Sequence, residues 1–330
     1  MTGALQRRDL LLFAVIAGLI VVVVLRAPEY MAANSVANIL SNWGFLAILA
    51  LGQLVVLLTR GIDLSQASVL AFTGMFLALL SQAVPELPAI CFFFLAILLG
   101  AALGAVNAAA IALAGLPPII ATLGTMAVIR GMIFVLSEGA WISSHEMSEA
   151  FKSFPASQFI GIPNVFWVAL LCMIGFHVFL AHFAAGRNIY TLGGNPDAAR
   201  YAGVSKVRTE TLVYVLSGAV AGLCGYLWAG RFAIAYTQAA EGREFAIIAA
   251  CVIGGISIAG GRGTVIGAIL GALLISVLET ALPFLKISPF VQLAIIGAVI
   301  LIAVAVNARA ETRAGRQILE RSSPEGRAKP

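Results

Sequence analysis

The stretch "TRGIDLSQAS", residues 59–68, breaks off one apolar run at residues 43–58, and a second follows at once at residues 69–80. Such a brief polar interruption is typical of a hairpin between two helices. Gly61 fits a left-handed cap after the first helix. Asp63, with Gln66 three residues on, fits a capping box that begins the second helix. The polar groups could be helix caps alone or could also line a solute path, and the residue types leave both interpretations open.

The composition indicates that apolar helices of this kind make up most of the chain. Of its 330 residues, 61% are hydrophobic and 11% are charged, whereas about 25% are charged in a typical soluble domain. Long apolar runs recur along the chain, and a membrane-spanning helix needs about 20 mostly apolar residues. The sequence therefore predicts an all-α integral membrane protein with ten transmembrane helices, at residues 10–25, 43–58, 64–81, 89–113, 118–136, 163–183, 211–229, 245–259, 264–282 and 289–306.

The basic residues follow the alternation of these spans. If the N-terminus is cytoplasmic, the inside segments hold 14 of the 20 Lys and Arg residues, so the positive-inside rule places both termini in the cytoplasm. This distribution explains the net charge of +5 without a nucleic-acid partner. We expect residues 1–308 to form the transmembrane domain and residues 309–330 to be a charged, disordered cytoplasmic tail.

The longest inside loop is "AAGRNIYTLGGNPDAARYAGVSKVRT", residues 184–209. Residues 193–196 are typical of a tight turn, Asn195 can cap a short helix, and Pro196 can occupy its first position. The helix would end at Gly203. It could be only a solvated connector, or it could transmit force to or from a soluble partner.

An internal repeat is also indicated. "GAALGAV" at residues 100–106 resembles "GAILGAL" at residues 267–273, and each is followed by a span that begins at proline. Because the two copies lie five helices apart, they would have opposite orientations in the membrane. The pattern predicts an inverted repeat of the kind found in transporters.

The motifs that are missing narrow the function. No GxxxxGK[ST] phosphate loop occurs, so the chain cannot hydrolyse ATP by that route. Asp and Glu are scarce in the spans, which argues against a proton-coupled carrier. The four cysteines fall in separate apolar runs, and His177 and His182 point about 140° apart on a helix, so no metal site and no catalytic residue are expected.

Polar residues in and beside the spans suit an uncharged hydrophilic cargo, which needs hydrogen-bond partners but no counter-ion. Singly, each is equally explained as a contact between helices. Arg130 could reach the outer surface, bind Glu138, or donate to a polyhydroxylated solute. The candidate translocation path consists of Gln53, Asp63, Ser65, Asn107, Thr122, Thr125 and Arg130.

Four stretches together resemble the permease subunits of ABC importers for monosaccharides of the ribose, arabinose, xylose and rhamnose type. They are "TRGIDLSQASVLAFTG" (59–74), "LPPIIATLGTMAVIRG" (116–131), "GRNIYTLGGNPDAARYAGV" (186–204) and "IAACVIGGISIAGGRGTVIGAILGALLI" (248–275). The outer-loop "GAWISSHEM" (139–147) and the closing "ISPFVQLAIIGAVILIAVA" most resemble rhamnose-system permeases, with autoinducer-2 permeases as close relatives. Gln66-Ala67 and Ala108 depart from the usual Val-Gly and Gly of the family.

The resemblance implies a ten-helix permease of the bacterial inner membrane, surrounded by lipid and paired with itself or with a sister permease. A periplasmic sugar-binding protein would deliver the solute. A cytoplasmic ATPase subunit would bind ATP and Mg²⁺, with no cofactor on this chain. The resemblance assigns ATPase coupling to Gly193, Gly194, Asn195, Pro196, Ala198, Ala199, Arg200 and Gly203.

Two other function classes stay open from the residues alone. An ion-coupled secondary carrier would transport sugar without a partner chain and would stop when the ion gradient collapses. An integral membrane enzyme would need His, Asp, Glu or Cys residues gathered at one depth of the bundle, and the sequence shows no such cluster.

Overall fold

The computed structural model describes residues 7–288 and, beyond them, residues 291, 292, 294, 295, 297, 298 and 301. The described part is almost entirely helical. Its helices are α1 (Arg7–Arg26), α2 (Ala33–Leu58), α3 (Gln66–Ala83), α4 (Ala89–Ala108), α5 (Pro118–Ser137), α6 (Glu149–Ala156), α7 (Asn164–His182), α8 (Ala184–Gly194), α9 (Pro196–Tyr201), α10 (Lys206–Phe232), α11 (Arg243–Ile253) and α12 (Val265–Phe284). A 3₁₀ turn (Pro28–Met31) precedes α2, a π-helical turn (Ala109–Leu113) extends α4, and the two-residue strands β1 (Gln158–Phe159) and β2 (Ile162–Pro163) pair antiparallel.

The prediction of an all-α membrane protein is confirmed. Within the described ranges, eight helices are long and apolar enough to cross a bilayer, namely α1, α2, α3, α4 with its extension, α5, α7, α10 and α12. Their bounds agree with the predicted spans to a few residues, except that α2 begins at Ala33, about three turns before the predicted residue 43. The polar residues of that first part lower its hydropathy but do not stop the helix.

The eighth predicted span, residues 245–259, is wrong in length. The helix there is α11, which has 11 residues and ends at Ile253, so it rises only about 16 Å. The glycine-rich segment 254–264 follows it without regular structure. Irregular backbone at membrane depth needs protein around it, and α11 packs against α2 and α12. The tenth predicted span and the tail fall mostly or wholly outside the described residues.

The burial pattern separates a core from a lipid-facing periphery. Helices α2, α3 and α10 are mostly buried, whereas α1, α4, α5 and α7 expose large apolar side chains. Leu11 of α1 is 67% exposed, Val135 of α5 is 82% exposed, and Leu171 of α7 is 68% exposed. Apolar faces of this extent need a hydrocarbon environment. The fold is thus a bundle with its central helices protected from lipid by the outer ones.

Four of the predicted inside segments, all within the described residues, lie together at one end of the bundle. The turn after α2, the end of α8 and the segment 254–264 are joined by hydrogen bonds, and Arg8 of α1 donates to the carbonyls of Val252 and Ile253 at the end of α11. Outside segments meet at the other end, where Ile142 pairs with Ala235. We refer to the first group as the basic end.

The two copies of the suspected repeat have similar packing roles. Gly100 and Gly104 of α4 contact the backbone of α10, and Gly267 and Gly271 of α12 contact the backbone at the end of α11. In both copies the absent side chain allows two helices to approach closely. The inverted relation between the copies stays a prediction.

Candidate functional site

The turn between α2 and α3 has a different cap from the one the sequence predicted. Arg60, rather than Gly61, has the left-handed backbone, with φ of 68°. The N–H groups of Arg60 and Gly61 bond to the carbonyls of Leu57 and Val56, which is the Schellman pattern. Gly61 is needed for another reason, because a Cβ there would collide with the Tyr214 hydroxyl and lie 3.1 Å from Val56 Cγ1.

The predicted capping box is also wrong. Helix α3 begins at Gln66, and the Asp63 carboxylate accepts from the N–H of Ser65 at 2.9 Å, two residues ahead. This is an Asx-turn, which satisfies the backbone before the helix begins. Gln66 turns inward instead, and its side-chain amide lies 2.7 Å from Ser217 Oγ on α10. Because neither side chain caps α3, the Asp63 carboxylate and the Gln66 amide can form bonds to neighbouring helices.

Asp63 is the centre of a buried polar network. Its Oδ1 accepts from Ser65 Oγ at 2.6 Å, and its Oδ2 accepts from Ser217 Oγ at 2.7 Å. Asn107 of α4 donates to Ser65 Oγ at 2.7 Å, and Thr125 of α5 donates to Asn107 Oδ1 at 2.6 Å. The chain of bonds from Thr125 to Ser217 thus connects α5, α4, the turn before α3, and α10. We call these five residues the Asp63 network.

Two more predicted residues surround the network. The side-chain amide of Gln53 lies against the backbone of Asp63, 3.0 Å from its carbonyl oxygen and 3.3 Å from its nitrogen. Thr122 donates to the carbonyl of Ile62 at 3.1 Å. Six of the seven candidate path residues are therefore brought together by the fold.

Arg130 is the exception. Its Nη1 donates to the carbonyls of Thr237 at 3.3 Å and Ala239 at 2.8 Å. It lies on α5 five residues beyond Thr125, about 7.5 Å further along the axis. Among the described residues it forms no ion pair with Glu138. It joins α5 to the segment after α10, away from the Asp63 network.

The network is closed in this conformation. Gln53, Asp63, Ser65, Asn107 and Thr122 are buried, and Thr125 is partly buried at the edge. Burial raises the pKa of Asp63, while the donors from Ser65 and Ser217 oppose that rise. Hydroxyl and amide groups that pair with one another can also pair with the hydroxyls of a solute, but only after the network opens.

The short helix predicted in the long inside loop is confirmed as α9. Asn195 is its N-cap, accepting from the N–H groups of Asp197 and Ala198 at 3.1 and 3.0 Å, and Pro196 is its first residue. Gly203, with φ of 78°, lies just beyond its end. The tight turn predicted at residues 193–196 is wrong in one respect, because Gly193 and Gly194 form the last turn of a further helix, α8.

The residues predicted to couple to an ATPase fall into two groups. Gly193 and Ala199 are buried against the bundle. The others, at the surface, are Gly194, Asn195, Pro196, Ala198, Arg200 and Gly203. Buried residues fix the position of α9, and exposed ones present a surface to a partner. The structure brings the predicted set together at the basic end, in the last turn of α8, in α9 and in the residues that flank α9.

Two residues of this end were missed by sequence reasoning. Tyr201, the last residue of α9, is 92% exposed, and large exposed aromatic residues are favoured anchors in protein interfaces. Arg60 donates from Nε to Gly193 O at 2.7 Å and from Nη2 to Gly194 O at 3.0 Å. Tyr201 could have been recognised from the sequence as an aromatic residue at the end of a helix in a basic loop. No sequence signal connects Arg60 with the distant α8.

A lipid-facing helical bundle with a closed polar centre and an exposed short helix at its basic end defines a membrane transport protein. Residues 35–304 match a protein family described as the permease component of branched-chain amino acid transport systems. The chain belongs to this family.

Curated relatives include permease proteins of ribose and autoinducer 2 import systems. The ribose import permease protein RbsC of Escherichia coli (strain K12) is 36% identical over 291 residues, which cover 88% of this chain and 90% of the relative. The autoinducer 2 import system permease protein LsrC of Klebsiella pneumoniae is 33% identical over 287 residues, covering 87% and 82%. The same protein of Salmonella paratyphi B is 35% identical over 259 residues, covering 78% and 74%. No solved structure matches the chain.

The family settles the coarse function. The chain is a multi-pass inner-membrane permease of the ABC importer family that includes these ribose and autoinducer 2 permeases, and it is a transporter subunit rather than an enzyme. Membership implies an ATPase and a solute-binding protein as partners in general. The relatives differ in cargo, so the family leaves the solute of this chain open.

Proposed function

We propose that this chain is the permease subunit of an ATP-driven importer of rhamnose or a related monosaccharide, with both termini in the cytoplasm. It works as a dimer with itself or with a sister permease. A periplasmic binding protein delivers the sugar, and cytoplasmic ATPase subunits bind ATP and Mg²⁺. The observation that carries the proposal is α9, which packs against α8 through the buried Ala199 and exposes its other residues.

The sidedness rests on the composition of the basic end. Arg8, Arg60, Arg187 and Arg200 lie on segments that the structure gathers at this end of the bundle. Cytoplasmic segments carry the excess of Lys and Arg in membrane proteins. We therefore assign the basic end to the cytoplasm, where an ATPase could reach α9.

The docking assignment is tested by reversing a charge on the exposed side of α9. In proteoliposomes with ATPase and binding protein, Arg200→Glu should abolish most uptake and the stimulation of ATP hydrolysis by loaded binding protein. Arg208→Glu is the matched control, because Arg208 is also exposed but lies in the first turn of α10, beyond α9. Unchanged uptake in Arg200→Glu would refute docking at this surface. Replacing all of residues 193–203 is less informative, because Gly193 also packs against α2.

The Asp63 network is assigned to the cytoplasmic end of the solute path. It lies beside the basic end, it is polar without a net positive charge, and its groups are buried. A sugar crossing this layer would replace the internal hydrogen bonds with bonds to its own hydroxyls, so no unpaired polar group would remain. In this assignment the described conformation is closed at the cytoplasmic side.

The cargo is tested by uptake in vesicles that contain the complete system. Labelled rhamnose should accumulate, and excess unlabelled rhamnose should compete better than ribose. The alternative is an autoinducer-2 permease, favoured by the relatives named LsrC. Accumulation of autoinducer 2 with no uptake of rhamnose would select that alternative.

The energy source is tested with the purified chain alone. Reconstituted without ATPase, it should not concentrate any sugar, with or without an ion gradient. Concentrative uptake that collapses with the ion gradient would instead identify a secondary carrier.

A further inference from the structure

The end of α2 carries an arginine where helix ends usually carry glycine. Arg60 is at the C′ position, with φ of 68°, a backbone conformation that is unfavourable for any residue with a Cβ. The Schellman bonds formed by Arg60 and Gly61 would be made equally well by a glycine at position 60. The cap alone therefore does not account for an arginine side chain at this position.

The Arg60 side chain joins α2 to the end of α8. Its two bonds reach the carbonyls of Gly193 and Gly194, which belong to the last turn of α8. Carbonyls at a helix C-terminus lack partners within the helix and carry its negative partial charge, so a guanidinium is well matched to them. The guanidinium fork fixes both the distance and the angle between the two elements.

The backbone segments around the Arg60 bonds are in close contact. The N–H of Gly261 donates to Leu58 O at 3.0 Å. A Cβ on Gly261 would lie 2.6 Å from the Cα of Gly194, and a Cβ on Gly193 would lie 2.7 Å from the nitrogen of Gly261 and collide with Leu58 O. Tyr190 of α8 donates to the carbonyl of Gly263 at 3.0 Å. The end of α8, the turn after α2 and the segment 254–264 therefore move together or separate altogether.

This unit connects α9 to the Asp63 network. On one side, Asn195 alone separates α8 from α9. On the other side, Asp63 follows Arg60 by three residues in the same turn and bonds to Ser65 and Ser217. A displacement of α9 would reach α8 first, the turn at Arg60 next, and the buried carboxylate last.

We propose that Arg60 is a positioning residue that transmits movement of the docking helix α9 to the Asp63 network. The inference rests on the proposed function, since it requires that the ATPase docks on α9. It adds the element through which docking opens and closes the solute path. In this proposal Arg60 acts through α8 and not through direct contact with the ATPase or the solute.

The test uses the complete importer in proteoliposomes and measures solute transported per ATP hydrolysed. Arg60→Gly suits the left-handed backbone and removes the side chain, so thermal stability should be kept while the ratio falls at least about fivefold, the lower end of typical coupling between sites. Arg60→Lys keeps the charge but loses the fork, and its ratio should be intermediate. Arg8→Ala is the matched control, because Arg8 also bonds to helix-end carbonyls at the basic end but is not joined to α9.

A cross-link separates this inference from the proposed function. Ala198→Cys on the exposed side of α9 should cross-link to a cysteine on the ATPase in the wild-type background and equally in Arg60→Gly. Absence of the cross-link in the wild-type background would overturn docking itself. An intact cross-link with an unchanged transport ratio in Arg60→Gly would overturn the role of Arg60 alone. Unfolding, or loss of the cross-link, in Arg60→Gly would likewise overturn it, because Arg60 would then be a structural or docking residue.

Discussion

The contact between α4 and α10 gives a quantitative prediction about the membrane-embedded core. Gly100 and Gly104 of α4 lie against Gly218 and Gly222 of α10. A Cβ on Gly222 would lie 2.7 Å from Gly100 Cα, and a Cβ on Gly218 would lie 2.8 Å from Gly104 Cα. Because carbon atoms in contact lie about 3.5–4.0 Å apart, alanine at either position must push the helices apart by about 1 Å.

The cost follows from two opposing effects. Alanine in place of glycine favours a helix by up to about 1 kcal/mol. Overpacking costs about 1–3 kcal/mol, and the upper part of this range applies because the obstructing atoms are backbone atoms. We expect a net destabilisation of about 1–2 kcal/mol for Gly222→Ala, which corresponds to a decrease in Tm of about 1–3 °C for a chain of this length. Since one separation relieves both clashes, Gly218→Ala with Gly222→Ala should cost less than the sum of the two.

The assay is thermal unfolding of the purified chain in detergent, followed by intrinsic fluorescence and by loss of monodisperse protein. Gly175→Ala on α7 is the matched control, because no atom lies within 4 Å of a Cβ there. It should leave Tm unchanged or raise it slightly. Equal Tm values for Gly222→Ala and Gly175→Ala would show that α4 and α10 are not in backbone contact, and the account of the core would be wrong.

Three further variants test the two parts of the site. Tyr201→Ala should weaken ATPase binding by about 2 kcal/mol, as expected for an aromatic anchor that becomes buried in the complex. The affinity is measured by titrating ATPase into permease nanodiscs, and an unchanged affinity would place Tyr201 outside the interface. Thr125→Val leaves Asn107 Oδ1 without its donor. The protein should therefore lose about 1–3 kcal/mol of stability, seen as a lower Tm, and the KM for uptake should change. A change in Tm alone would indicate a purely structural role. Burial raises the pKa of Asp63, so its contribution to stability is fully present below the unfolded pKa of about 4 and is lost as pH rises through the folded pKa. Asp63→Asn should therefore flatten the dependence of Tm on pH above about pH 4, and an identical slope in both proteins would contradict this sign.

The sequence by itself determined the membrane class and most of the spans, and it supplied many of the candidate residues in both parts of the site. Apolar runs long enough to cross a bilayer are a local property, and so are the Asn195-Pro196 cap of α9 and the polar residues beside the spans. Reading local patterns therefore yielded the helices and the candidate residues.

The tertiary structure decided which of these residues meet. The sequence predicts Gly61 as the left-handed cap because glycine usually occupies that position, but the Tyr214 hydroxyl beside Gly61 and the carbonyls of α8 place Arg60 there instead. Asp63 caps no helix; its carboxylate accepts from Ser65 in its own turn and from Ser217, more than 150 residues away. Contacts between residues so far apart depend on how the helices pack, and no local pattern in the chain specifies that packing.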